Sequence, residues 1–494
     1  MASAAIVEQW ADPRWRLNNL YTIKDKSGTA IPFRTNWAQE RFFDDLWYLN
    51  LILKARQLGF TTFIQLYMLD SCLFNSNTSA GVIAHTREDA EAFFSDKIKF
   101  AYDHLPDGLR QRIPATQDSA KSLAFNNNSK IRVGTSLRSG TFQLLHVSEF
   151  GKVCAKYPDK AKEIVTGAFN TVEAGQFIFV ESTAEGNSGD FHDMCMGAQN
   201  AEKEGRKLTK LDFKFHFFAW WQDPSYRLDD EDTAATVVTS DDNRYFDAIE
   251  SEMGVSLSAN QRSWYVKKRQ TQGTGMKREY PSTPKEAFEA SVEGAYFTTE
   301  MAKVREQGRI CKIPILNKPV DVFWDLGVGD SMTLAFRQIV GHEVRWIDYY
   351  ENSGEGFEHY ARVLHEKGYI YGRHFFPHDG DHRSLGAVAK TKREWAIEAG
   401  IKPVEIVPRI PTEAAGIEAS RSLLPQSYFD EQRCQRLIQC LDNYRKDWDD
   451  KLGVWKDTAR HDEFSHGYKA FETAAVAPKI GQAKPINYSN RGVV

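Results

Sequence analysis

KARQLGFTT, residues 54–62, follows a short apolar run at 51–53 and leads into FIQLYMLDSCLF, which has the apolar density of a buried helix starting near Thr61. A strand, a loop with a glycine and then a helix is the setting of a phosphate-binding loop, whose usual pattern is G-x-x-x-x-G-K-S/T. Here Lys54 stands at the first glycine, Gly59 is in place, Phe60 fills the lysine position and Thr61 follows. Such a loop holds an anion through successive backbone N–H groups and the N-terminus of the next helix, and those donors do not depend on Phe60. The cation for the β- and γ-phosphates would come from Lys54, long enough to fold back across the loop, or from Arg56. Thr61 would offer its hydroxyl to Mg²⁺. Only Gly59 and Thr61 fit the pattern, so on this stretch alone a chance match is the competing reading.

The segments downstream bear on that choice. GVIAH (81–85), SKIRVGTS (129–136), FQLLHVSEF (142–150) and GQFIFVESTAEGNSG (175–189) each read as an apolar strand, and TREDAEAFF opens a helix capped by Thr86. Strands alternating with helices imply a mostly parallel sheet, with ligands bound beyond the carboxyl ends of the strands. Nucleotide hydrolysis needs acids at such a strand tip, usually Asp-Glu. This chain has Ser148-Glu149, which keeps a water-orienting Glu149 and puts a hydroxyl on the metal side. The alternative is an ordinary strand-end salt bridge. Ser182 and Thr183, at the next strand tip, could sense the γ-phosphate or could be helix caps.

Composition sets the outer bounds. A chain of 494 residues implies two or three domains, and 26% charged with 41% hydrophobic residues implies folded domains through most of it. A net charge of −4 excludes a generally basic coat but leaves room for a local basic track among 63 Lys and Arg. The six cysteines show neither a C-x-x-C pair nor zinc spacing and read as reduced thiols. No apolar run approaches a membrane span, and the N-terminus lacks a signal-peptide pattern, so a soluble, intracellular protein is expected.

After about Pro224 the chain turns acidic and helical, and REYPSTPKEAFEASVEGAYF (278–297) reads as an extended connection. Beyond Pro319, VDVFWDLG, SMTLAFRQIV and EVRWIDYY form three strands joined by short turns, followed by a helix (356–367) and a strand (373–378). An RNase H-like fold has this sequence of elements. Its centre needs carboxylates from separate segments around two Mg²⁺ or Mn²⁺ ions about 4 Å apart. Asp325 and Asp379 end neighbouring strands, and Asp462 in ARHDEFSHGYKAF would approach from the last helix. A lone strand-end Asp is most often a turn residue; three at the expected points of one topology are harder to dismiss. Asp330 is the best auxiliary acid, with Asp348, Glu351 and Asp381 behind it. His378, His461 and His466 suit hydrogen bonding beside a hard cation better than zinc.

The order of these parts resembles the large terminase subunits of tailed bacteriophages, from about Phe33 to Phe471. KARQLGFTT looks like the deviant first ATPase motif of that family, LLHVSEFG like its second and ESTAEG like its coupling motif. WAQERFF is similar to the upstream glutamine motif, which would give Gln39 an adenine-reading role, and EYPSTPKEAF resembles the interdomain signature. The resemblance implies an N-terminal RecA/ASCE-like P-loop ATPase domain (1–224), a helical linker subdomain (225–310), an RNase H-like nuclease domain (311–475) and a flexible tail (476–494). It implies ATP with Mg²⁺ held by Lys54, Ala55, Arg56, Gln57, Leu58, Gly59, Phe60, Thr61, Thr62, Ser148, Ser182 and Thr183. Glu149, Lys54 and Arg56 would be catalytic, and Arg138 would be a finger reaching a neighbouring subunit. Two Mg²⁺ or Mn²⁺ would be held by Asp325, Asp379, Asp462 and Asp330. Where many relatives end in S-H-G-x-D-A-F, this chain has Lys469 in place of the acid, leaving that corner to Asp462 or Glu463. The implied partners are double-stranded DNA, a small terminase subunit and a procapsid portal, with a homo-oligomeric ring when assembled, in the host cytoplasm. A repair-type helicase-nuclease is the competing enzyme, though the residues after Pro224 look too few for a second motor lobe. A nucleotide-binding scaffold with only the nuclease active is the other alternative, weakened by the retention of Glu149.

Overall fold

The computed structural model describes residues 4–289, 294–327, 331–382, 390–449 and 454–478. It divides into two units, Met1–Ser291 and Val292–Val494. Among the described residues no helix is long and apolar enough to cross a membrane.

The first unit opens with a small antiparallel pair, β1 (Thr22–Lys24) and β2 (Ala30–Pro32). Its main sheet has eight strands: β3 (Leu49–Lys54), β4 (Ser79–Ile83), β5 (Ala115–Asp118), β6 (Ser122–Phe125), β7 (Lys130–Gly134), β8 (Phe142–Ser148), β9 (Val172–Ser182) and β10 (Phe213–Phe218). They lie in the order β10-β3-β9-β8-β4-β7-β6-β5. The pairs from β10 to β7 are parallel, and the β7–β6 and β6–β5 pairs at the edge are antiparallel. Strands β3 and β8 are therefore separated by β9, the arrangement of RecA-like phosphate-loop ATPases, which puts the ends of β3, β9 and β8 side by side. Such strands must be apolar on both faces, and they are. Ile52, Leu144 and Phe179 join one buried cluster, while Leu51, Leu53, Leu145, Val147, Ile178 and Val180 join another. The edge strand β10, FKFHFF, is absent from the sequence reading because its two charged or polar positions interrupt a run flanked by tryptophans. In the sheet Lys214 pairs with Asp45, and His216 is buried against Asn50 at 3.1 Å. Helices Ser240–Met253 and Ala259–Gln272 contribute Phe246, Ile249, Tyr265 and Val266 to the same cluster as Ile52.

The second unit holds β11 (Ile310–Cys311), β12 (Val320–Asp325), β13 (Ser331–Val340), β14 (Glu343–Ser353), β15 (Tyr371–Phe376), β16 (Val404–Ile406) and β17 (Ser427–Asp430). Their order is β11-β17-β14-β13-β12-β15-β16. Strands β12, β13 and β14 form the expected antiparallel meander, and β15 runs parallel beside β12 with Phe323 opposite Phe375. That core order is RNase H-like. Strand β12 alternates Val322 and Trp324 on one face with Phe323 on the other, so both faces are covered. The helix Ser465–Val476 packs across β12 and β13, burying Tyr468, Ala470 and Phe471. A hairpin, β18 (Lys446–Asp449) and β19 (Val454–Ala459), precedes that helix. Of the expected tail, residues 479–494 lie outside the described residues, as does Asp330.

Candidate functional site

The loop after β3 turns on two left-handed residues, Gln57 (φ 63°) and Gly59 (φ 74°), and Gly59 precedes the helix Phe60–Phe74. A β-carbon at Gly59 would fall 2.7 Å from Gln39 Nε2, the end of a flexible side chain, so it is the left-handed conformation that calls for glycine there. Gln39 itself is buried; its Nε2 donates to Gly59 O (2.9 Å) and its Oε1 accepts from Asn36 N–H (3.0 Å). Its amide is thus spent on fixing the loop backbone. Phe60, in the usual lysine position, is a core residue packed on Phe42 and Phe218 with ring centroids at 5.7 and 4.6 Å. Its side chain is withdrawn, which leaves its backbone N–H with those of the first helical turn, groups that have no intrahelical acceptor. Ala55 and Leu58 are buried as well, Ala55 N–H donating to Phe218 O at 2.8 Å.

The two candidate cations separate. Arg56 is half exposed and pairs with Glu279 of the EYPSTP segment, while Tyr226 donates to Arg56 O at 2.5 Å. Lys54 points the other way, into a buried acidic pair: its Nζ lies 3.0 Å from Glu181 Oε2 and 3.6 Å from Glu149 Oε1. Burial pulls the Lys54 pKa down, and the two carboxylates more than offset that, leaving it raised. Around the same point Glu181 Oε1 accepts from Thr61 Oγ1 (2.7 Å) and Ser148 Oγ (2.8 Å), with His146 Nε2 at 3.4 Å. Glu181 is fully buried. Burial would raise its pKa, but Lys54, His146 and Thr61 together hold it well below the ordinary carboxylate value. Thr62 Oγ1 accepts from Lys97 Nζ at 2.9 Å. Burial lowers the Lys97 pKa, opposed by the charge of Glu181.

Glu149 sits in the left-handed region (φ 54°, ψ 43°), where a non-glycine residue costs about 1–2 kcal/mol, and such strain gathers at functional sites. The turn brings its carboxylate back over the sheet edge toward Lys54 and Lys152. Ser182 Oγ accepts from Gly151 N–H (3.0 Å) and so anchors the start of the helix after Glu149. Thr183 is buried, and its hydroxyl has no hydrogen-bond partner among the described residues. Arg138 stands apart from this group, exposed and paired with Glu163. Glu181, Lys97 and His146 were missed by motif reading. The available signal was a charged residue inside the apolar run FIFVES, which a parallel strand tolerates only if the charge is compensated.

In the second unit Asp325 and Asp379 come together on one cleft of about 540 Å³, whose wall also carries His378, His461, His466 and Lys469. Each of the two aspartates is engaged: Asp325 Oδ2 with His466 Nδ1 at 2.9 Å, Asp379 Oδ2 with Lys392 Nζ at 2.7 Å. Asp462 is not part of that wall. It accepts from Phe464 N–H (3.0 Å) at the start of the last helix, and burial raises its pKa. The acid that the helix does turn to the cleft is Glu472, bonded to Tyr468 (2.8 Å) and Lys469 (2.7 Å). Glu463 and Glu351 bind Arg436, Asp348 binds Lys367 and Tyr369, and Asp381 lies 3.8 Å from Arg393. Oxygen donors such as Asp325 and Asp379 suit a hard divalent cation. Among the described residues, no group of three or more His, Cys, Asp or Glu stands ready to hold a metal. The first-unit cluster of Thr61, Ser148 and Glu181 offers oxygen donors that suit one, with the buried Glu181 Oε2 held by Lys54 Nζ at 3.0 Å.

No family model matches the chain, and no curated protein matches it. Among solved structures, the large terminase of bacteriophage HK97 is similar at 13% identity, with 94% of this chain and 98% of that one covered and a TM-score of 0.43. The large terminase of a thermophilic bacteriophage, in complex with ATP-γ-S, is similar at 11% identity, with coverage of 90% and 98% and a TM-score of 0.32. The large terminase nuclease of the thermophilic phage G20c, with bound cobalt, matches 37% of this chain and 97% of its own length at 11% identity and a TM-score of 0.27. These three solved structures are large terminases of bacteriophages, and the likeness to the first two runs over most of this chain's length.

Proposed function

We propose that the chain is a terminase large subunit: an ATP-driven motor that moves double-stranded viral DNA into procapsids and a metal-dependent endonuclease that cuts concatemeric DNA. The observation that carries the motor half is the Lys54–Glu149–Glu181 cluster at the edge of a RecA-like sheet, beside a loop whose Gly59 leads into a helix. Lys54 would leave its two acids for the β- and γ-phosphates, and the loop N–H groups would cradle them. Glu149, aimed by its left-handed turn, would orient the attacking water, and Ser182 and Thr183 would relay loss of the γ-phosphate to the helix after Glu149. Mg²⁺, when bound, would neutralise phosphate charge next to Thr61. Arg56, tied to Glu279 and Tyr226, would pass loop movement to the helices of 226–286 rather than touch phosphate, while Gln39 would hold the loop in place. Arg138, exposed, is available to a neighbouring subunit's nucleotide.

Asp325 and Asp379 would hold the nuclease metal, which supplies Lewis-acid stabilisation of phosphodiester cleavage. Contacts to DNA would be mainly to phosphates, insensitive to sequence and sensitive to salt. Site selection would then fall to a small terminase subunit, and work would be done in a ring at the portal, in the host cytoplasm.

The test is DNA-stimulated ATP turnover by the unmodified protein, Lys54→Ala and Glu149→Ala, with Mg²⁺ and an oligomer-forming partner. Turnover that both variants lose supports the motor. No turnover under any condition, with DNA still cut in Mn²⁺, would leave a scaffold with a nuclease.

A further inference from the structure

Phosphate-loop ATPases place an aspartate where this chain has Ser148, to join the loop hydroxyl to the hydration shell of Mg²⁺. A serine there removes the negative charge on the metal side. The neighbouring strand restores it. Glu181 lies opposite Ser148 across the β8–β9 ladder and opposite Ile52 across the β3–β9 ladder. Residues in register on parallel strands rise from the same face, as does Lys54, two residues beyond Ile52. Glu181 therefore stands between the loop strand and the position-148 strand, one strand spacing of about 4.8 Å from each. Its side chain is one methylene longer than aspartate. Oε1 takes both hydroxyl protons, from Thr61 at 2.7 Å and Ser148 at 2.8 Å, while Oε2 faces Lys54 at 3.0 Å.

A counter-ion for Lys54 would need only Oε2. The use of Oε1 to tie the loop threonine to the residue at the metal-side position is unexplained by that role. We propose that Glu181 is the relocated metal-side acid of this ATPase site: a positioning residue that supplies from β9 the carboxylate that β8 lacks. The inference rests on the ATPase reading above. It carries a charge argument as well. When Lys54 turns to the phosphates, the fully buried Glu181 loses its nearest cation, and the divalent ion that arrives with the nucleotide restores the balance. Nucleotide affinity should therefore depend on Mg²⁺ through Glu181.

The experiment is equilibrium binding of a fluorescent ATP-γ-S analogue to the full chain, with Mg²⁺ and with EDTA. Mg²⁺ should tighten binding to the unmodified protein. In Glu181→Gln that tightening should shrink by about tenfold or more, the scale of losing one charged contact, while the EDTA affinity stays equal or improves because Lys54 is released. Ser148→Asp/Glu181→Gln, which moves the carboxylate back one strand, should recover most of the Mg²⁺ dependence. If Glu181→Gln keeps the full Mg²⁺ effect, or if the double variant folds and binds in EDTA but recovers none of it, the assignment of Glu181 is overturned while the ATPase reading stands. Should the unmodified protein bind no nucleotide with or without Mg²⁺, the ATPase reading falls and Glu181's role falls with it.

Discussion

Replacing Lys54 with alanine removes the cation that faces Glu181 and Glu149, and the cost can be worked from burial. Glu181 is 0% exposed and Lys54 6%, so no solvent is at hand to take over the lost interaction. Breaking a buried ion pair from one side costs about 3–5 kcal/mol, because the remaining charge is stranded. Converted at about 1.4 kcal/mol per decade, the central strands should open roughly 10²- to 4 × 10³-fold more often. Hydrogen exchange of peptides spanning Leu49–Lys54 and Val172–Ser182, corrected for intrinsic rates, reads that directly. Lys54→Met/Glu181→Gln removes both charges and should recover most of the protection. The effect has a defined pH window. The Glu181 pKa is depressed in the fold, so its share of the stabilisation is present above the ordinary carboxylate value and fades as pH falls through the folded value. The Lys54 pKa is raised, so its share is present below the ordinary lysine value and fades as pH climbs through the folded value. Between the ordinary carboxylate and lysine values both partners are charged in the unmodified protein, so from roughly pH 5 to 10 this pair should add no pH dependence to its stability. Exchange in Lys54→Ala within about threefold of the unmodified protein would refute the pairing, since that is well under one decade.

Three further outcomes are expected. Gly151→Ala would place a β-carbon 2.8 Å from Thr183 O and 2.9 Å from Ser182 Oγ; it should cost about 1–3 kcal/mol by thermal unfolding and lower ATP turnover by moving Glu149. His374 is buried, accepts from Trp324 Nε1 at 3.3 Å, and burial lowers its pKa to about 4. Because the unfolded chain binds the proton first, stability should be full above the ordinary histidine value and fall by on the order of 3 kcal/mol as pH drops toward 4; a pH series of unfolding, flattened in His374→Gln, checks it. Asp325→Asn and Asp379→Asn should each reduce Mn²⁺-dependent DNA cleavage at least about a hundredfold while leaving ATP turnover within twofold, since these aspartates belong to one unit and Lys54 and Glu149 to the other. Equal loss of both activities would contradict that separation.

The apolar runs of β3, β4, β8, β9 and the β12–β14 meander were legible because strands buried on both faces, or joined by tight turns, leave a local pattern that needs no partner to be read. So was Asp325, which ends β12, whereas Asp379 lies beyond the end of β15, in the short turn His378–Asp381. Strand β10 was not legible: Lys214 and His216 make sense only beside Asp45 and Asn50, far away in sequence. The choice between Lys54 and Arg56 was likewise open, because both lie within reach of a loop and only the packed sheet sends one to Glu181 and the other to Glu279. Asp462 stands before the last helix, where its carboxylate accepts from Phe464 N–H, and the helix turns Glu472 and Lys469 to the cleft instead. Sequence by itself determined which segments must be buried and which motifs could bind phosphate or metal, since those depend on residue type and spacing. Tertiary structure alone decided which charge compensates which, because a buried carboxylate such as Glu181 takes its meaning from neighbours on other strands, and pairing across a sheet is set by register rather than by distance along the chain.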